Sequence, residues 1–133
     1  MILRGLLLLF VFGVAGLGSF ALRHYFSRAS MPSRFDRKDV GVSEPGAMLV
    51  EFTSPYCYEC QLAYPVLQAA SQAHNAALAV IDAKERPDLA QKYSIRTTPT
   101  ILVVNHRGKV TTGWFNSPSP QDVVSALEVA GAR

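Results

Sequence analysis

Cysteine is scarce in this sequence: Cys57 and Cys60 are its only two among 133 residues. Three positions apart, they close too short a loop to act as an ordinary fold-stabilising staple, which points to chemistry instead. Histidine is equally sparse, and His24, His74 and His106 show none of the paired spacing that holds a metal. No internal repeat or low-complexity tract is visible, so a solenoid or array is excluded. A chain of this length with nearly half its residues hydrophobic buries one core and leaves little room for a second domain.

Charge is missing from Gly5 to Leu22, a run of 18 residues made mostly of Leu, Val, Phe, Ala and Gly. As a helix that run reaches roughly 27 Å, close to the ~30 Å hydrocarbon core of a bilayer. Residues 1–22 are therefore expected to form a single-pass membrane anchor. A removed secretory leader is the competing reading, because Ser19-Phe20-Ala21 has the small-x-small form of a cleavage site. Arg4 is the one charged side chain ahead of the run, whereas Arg23, Arg28, Arg34, Arg37 and Lys38 crowd its other flank. The positive-inside rule then places the soluble part on the cytoplasmic face.

Positive charge is also absent where a nucleic-acid binder would need it. The sequence pI is near 9.1, yet residues 1–38 carry six Lys/Arg against Asp36 alone, while residues 39–133 carry seven against nine Asp/Glu. The basicity belongs to the tether, where it suits anionic lipid heads and not a phosphate-tracking groove.

Residues 23–46 lack a sustained apolar period and read as a basic juxtamembrane linker, leaving residues 47–133 as the folded domain. Met48 to Phe52 is a short, mainly apolar run consistent with a buried strand, followed by turn-prone Thr53-Ser54-Pro55. A helical spacing with a proline kink runs from Cys60 to Asn75. Leu78 to Ile81 reads as a second strand, Pro87 to Tyr93 as a short helix, Thr100 to Asn105 as a third strand and Val110 to Phe115 as a fourth. Ser119 followed by Pro120 and Asp122 starts a terminal helix. Alternating strands and helices with a final hairpin predict an α/β sandwich.

Cys57-Tyr58-Glu59-Cys60 falls where a strand ends and a helix begins. A helix N-terminus stabilises a thiolate through its unpaired N–H groups and dipole, so Cys57 is the expected nucleophile. Cys60, one turn later, is placed to resolve a mixed disulfide. The C-x-x-C spacing alone also fits half a zinc site, which would need two more ligands, or an inert disulfide.

Taken together, residues 47–129 resemble thioredoxin. The resemblance rests on Leu49-Val50-Glu51-Phe52 before the redox pair, on Pro65 five residues after Cys60, on Val80-Ile81-Asp82, on Tyr93 to Thr100 and on Gly108 in the hairpin. It implies a thioredoxin-like α/β/α sandwich and a Cys57–Cys60 disulfide in place of any cofactor or metal. It also implies a cis Thr98–Pro99 bond facing the cysteines; an ordinary strand-start proline is the alternative. A substrate peptide would pair with the backbone beside Thr98 and Pro99, with Tyr56 and Tyr58 as contact residues. Glu51 takes the position of the family's buried acid and would relay a proton for Cys60 if burial raises its pKa; a solvent-facing strand carboxylate is the alternative.

The chain departs from the family pattern at several of these places. Tyr56 replaces a tryptophan, Tyr58-Glu59 replaces Gly-Pro, Val80 stands where many relatives have a lysine, and Asn116 replaces a glycine. Glu59 between the cysteines disfavours a nearby thiolate. Trp114 is expected to be a packing residue. The expected activity is thiol-disulfide exchange, reductase-like, with disulfide-containing proteins as substrates and an upstream thiol reductase as electron donor. A membrane-held binding or assembly module with little redox turnover, and an extracytoplasmic thiol donor for protein maturation, are the alternatives.

Overall fold

The computed structural model describes residues 1–26 and 30–131. Arg28 of the expected basic flank and the last two residues of the expected domain lie outside the described residues.

Helix α1 spans Ile2–Phe26, and its Ile2–Ala21 stretch is long and apolar enough to cross a membrane by length and composition. The folded part runs β1 (Met48–Thr53), α2 (Tyr58–Ala73), β2 (Ala77–Asp82), α3 (Pro87–Lys92), β3 (Thr100–Val104), β4 (Val110–Trp114) and α4 (Pro120–Gly131). The four strands form one mixed sheet in the order β2-β1-β3-β4, with β1 parallel to β2 and antiparallel to β3, and β3 antiparallel to β4. Helix α2 makes the crossover that two parallel neighbours require. This is the expected α/β architecture with its closing hairpin.

Strand alternation divides the core into two layers. Leu49, Ile101 and Val103 pack against Ala63, Leu67, Val123 and Leu127 of α2 and α4. Val50, Phe52, Leu102 and Val104 face the other way, onto Ile81, Leu89 and Tyr93. The first five residues of β1 and all five of β3 are buried, because both strands lie inside the sheet with apolar layers on each side. Trp114 packs at the margin of the first layer, as expected of a packing residue.

Residues 30–46 do more than connect. A 3-10 helix forms at Arg37–Val40, capped by the Asp36 side chain. Phe35 is 1 % exposed, stacks on Tyr93 at 4.6 Å and meets Phe52 edge-on at 6.3 Å. One aromatic residue in a polar stretch has no periodicity to report, so the segment reads as a linker although its ring completes the second layer. Gly108 accommodates this docking: it has φ +80°, its carbonyl accepts from the Phe35 N–H at 2.9 Å, and a Cβ there would lie 3.0 Å from the Phe35 carbonyl oxygen.

Replacing Phe35 with alanine leaves a cavity between Phe52 and Tyr93. Phe35→Ala should lower the unfolding free energy by about 3–5 kcal/mol, measured by urea denaturation followed through Trp114 fluorescence. A loss below about 1 kcal/mol would show that the segment before β1 is not part of the core.

Candidate active site

Strand β1 carries the chain to one end of the sheet, and a turn through Pro55 and Tyr56 leads to the start of α2. Cys57 is the N-cap of that helix, with extended backbone, and its Sγ accepts from the Cys60 N–H at 3.2 Å. The helix thus begins at Tyr58, two residues earlier than its apolar spacing predicts, because the sulfur cap has no hydrophobic signature. Pro65 lies inside α2, where the helix continues through it to Ala73. Cys57 and Cys60 are joined in a disulfide with Cα atoms 5.2 Å apart. Cys57 is half-buried and Cys60 only 4 % exposed, so a molecule arriving from outside meets Cys57 first.

Tyr56 has φ 64°, a left-handed conformation that few bulky residues adopt, and its side chain is fully exposed beside Cys57. Tyr58 is also exposed. The two rings therefore flank the disulfide without packing on the core.

Thr98–Pro99 is a cis peptide bond. Pro99 is buried and Thr98 partly so. Their position next to the cysteines follows from register: Thr100, directly after Pro99, pairs with Phe52 near the end of β1. The Ser54 and Thr98 hydroxyls lie 2.7 Å apart, bonding the turn before Cys57 to the residue before Pro99. Sequence spacing carries no signal for that contact, since it joins two loop residues 44 positions apart.

Glu51 shares its strand face with Leu49, the face covered by α2. It is 1 % exposed, so the solvent-facing alternative does not hold. Neither of its carboxylate oxygens has a hydrogen-bond partner among the described residues. Burial without a partner penalises the charged form and pushes its pKa up to about 7. Its cross-strand neighbour on β2 is Val80, which offers no compensating charge. Glu51, Ser54, Cys57, Cys60, Tyr64 and Val80 line one cavity of about 330 Å³, which brings the acid and both sulfurs to a common space.

Glu59 reaches the loop before α4, where its Oε2 accepts from the Ser117 N–H at 3.1 Å. The acid between the cysteines thus has a bonded partner that sequence alone does not reveal. His74 and His106 take no part in the site, and no cluster of three or more His, Cys, Asp or Glu side chains able to hold a metal ion occurs among the described residues.

The thioredoxin family model matches residues 32–127, a span that includes the Phe35 segment as well as the sheet. A protein disulfide isomerase-like 1-4 of Oryza sativa subsp. japonica is 47 % identical over 60 residues, covering 41 % of this chain and 11 % of that protein. The thioredoxin of Porphyra purpurea is 30 % identical over 67 residues, covering 49 % of this chain and 63 % of its own. The chain thus spans about a tenth of the isomerase-like relative and under two thirds of the algal thioredoxin. Among solved structures, a mutant thioredoxin from Halobacterium salinarum NRC-1 superposes with a TM-score of 0.64, covering 78 % of this chain and 96 % of that one. At 22 % identity that likeness shows the fold. A family match over most of the chain, a shared fold, and a disulfide capping the first helix after the first strand lead to one conclusion: the chain belongs to the thioredoxin family.

Proposed function

We propose that this chain is a membrane-held thiol-disulfide oxidoreductase acting on disulfide-containing proteins. The observation that carries the reading is the Cys57–Cys60 disulfide at the N-terminus of α2, with one sulfur half-buried and the other buried. In the reduced chain, the helix N-terminus stabilises the Cys57 thiolate. That thiolate attacks one sulfur of a substrate disulfide; the Cys57–substrate bond forms, the substrate S–S bond breaks, and one substrate thiolate leaves and takes up a proton. Cys60, as thiolate, then attacks Cys57 Sγ, forming the internal disulfide and releasing the second substrate thiolate. Two electrons pass from the dithiol to the substrate, and an upstream thiol reductase restores them.

The proton that Cys60 gives up needs an acceptor. Glu51 supports that role through its raised pKa and its place on the cavity shared with both sulfurs. Thr98 and Pro99 offer the backbone edge for an extended substrate, and exposed Tyr56 and Tyr58 shield the mixed disulfide from water. Residues 1–22 anchor the chain in the lipid bilayer, with the domain on the cytoplasmic face, supported by α1's length and the basic residues after it.

Reduction of insulin disulfides by the dithiothreitol-reduced chain should be at least ~100-fold faster than by Cys57→Ser. Equal rates would sink the oxidoreductase reading in favour of a binding module. A carboxyl with a raised folded pKa binds its proton more tightly when folded, so Glu51 costs stability as pH climbs from 4.5 to about 7, roughly 3 kcal/mol in all. Glu51→Gln should therefore be more stable than the parent at pH 8 and nearly equal to it at pH 4. Its resolution of the mixed disulfide should slow by ~10-fold or more and lose the inflection near pH 7; a variant that keeps rate and inflection would remove Glu51 from the proton path. Ser43→Cys in a Cys57→Ser/Cys60→Ser background should react with a membrane-impermeant maleimide only after host cells are permeabilised. Labelling of intact cells would reverse the assigned topology.

A further inference from the structure

A second and larger cleft, about 740 Å³, lies away from the cysteines, and Arg34, Arg37, Lys38, Lys92 and Arg107 are among its walls. Register fixes its place in the fold. Met48, at the start of β1, pairs with Val104 at the end of β3, so the β3–β4 turn with Arg107 and Lys109 lies at the end of the sheet opposite Cys57. The six residues of β1 alone separate the two ends by roughly 17 Å. Arg34 pairs with Lys109 in an isolated bridge, which brings the segment after α1 to the same end.

Two of these cations are held by carbonyl groups. Arg34 donates to the Arg107 carbonyl at 3.1 Å, and Arg37 donates to the carbonyl of Gly46 at 2.7 Å. Of the two ion pairs among the described residues, only Lys92–Asp39 touches this end. Asp39 is already engaged by Lys92 and by the Tyr93 hydroxyl, both at 2.6 Å. Six cations, counting Lys109, face Asp36, Asp39 and Glu44, a local excess of three positive charges. Arg34, Lys38, Arg107 and Lys109 are exposed. Two of these four come from the hairpin of the folded domain, not from the tether.

The occupant follows from reach and charge. Seven residues lie between Phe26, the last of α1, and Arg34, eight chain steps that reach at most about 28 Å. Whatever lies at the membrane end of α1 is within that distance of the basic end of the sheet. We propose that this end is a docking face for anionic phospholipid headgroups, seating the domain so that Cys57 points away from the bilayer. The inference rests on the reading of residues 1–22 as an anchor. It adds an orientation: tether and hairpin cations meet the lipid surface together, and each one removed lowers the docked-to-free ratio about fivefold.

The test uses the full chain in phosphatidylcholine vesicles with or without roughly 30 % phosphatidylserine, both carrying a nitroxide headgroup quencher. One fluorophore is attached at Ser43→Cys in the Cys57→Ser/Cys60→Ser background; another is attached at Cys57 in Cys60→Ser. Residue 43 should be quenched at least about fivefold more with phosphatidylserine. Arg107→Glu/Lys109→Glu or about 0.5 M NaCl should abolish the difference. The Cys57 label should remain unquenched in both vesicles. Equal quenching of residue 43 in the two vesicles, indifference to salt, or quenching of Cys57 as strong as that of residue 43 overturns the docking face. Flotation after a carbonate wash reads the anchor separately. A chain that washes off overturns the anchor and this inference together, whereas one that floats but shows no lipid preference overturns the inference alone.

Discussion

The N-terminus of α2 ends on sulfur, and the surrounding structure serves to hold it there. Cys57 caps the helix through a bond from the Cys60 N–H, so the more exposed sulfur of the pair also satisfies one of the helix's unpaired donors. Strand β1 aims the chain at this point from a buried position, and β3 returns beside it in register, bringing Pro99 to the same end of the sheet. The Ser54–Thr98 hydroxyl contact then fixes one approach to the disulfide relative to the other. None of these elements is reactive by itself; their convergence places a sulfur where a positive dipole, a second sulfur and the cis Thr98–Pro99 bond coincide.

Much of this was legible in the residues. Buried strands announce themselves as mainly apolar runs, and Met48 to Phe52 and Thr100 to Val104 do so. The cis bond at Pro99 was readable through the family pattern around it, and the buried acid at Glu51 through its place in the strand before the redox pair. What stayed hidden was tertiary. Phe35 packs by a single ring, which leaves no repeat in the sequence, and Glu59 finds Ser117 through a fold that brings distant loops together. The Tyr58 start of α2 was obscured for a different reason: capping by sulfur follows geometry and not hydropathy.

Glu51 and Val80 both line the cavity shared with the cysteines, so the departure from the family pattern at residue 80 lies in the wall of the site. They are cross-strand partners, and an apolar side chain at the second position leaves the first without a cation to favour its ionised form. Burial with no cation beside it therefore pushes the carboxyl's pKa up to about 7. Because β2 is an outer strand, residue 80 is 46 % exposed and open to substitution, while the central strands that carry the site keep their packing.

The clasp between Phe35 and Gly108, reinforced by the Arg34–Lys109 bridge, fixes where the polypeptide enters the folded part from its N-terminal side. Strain arriving along the polypeptide from the N-terminal side is borne first by an aromatic plug and a short hairpin contact at the far end of the sheet. The chain thus enters the fold through contacts with the β3–β4 hairpin before it reaches β1, at the end of the sheet opposite Cys57.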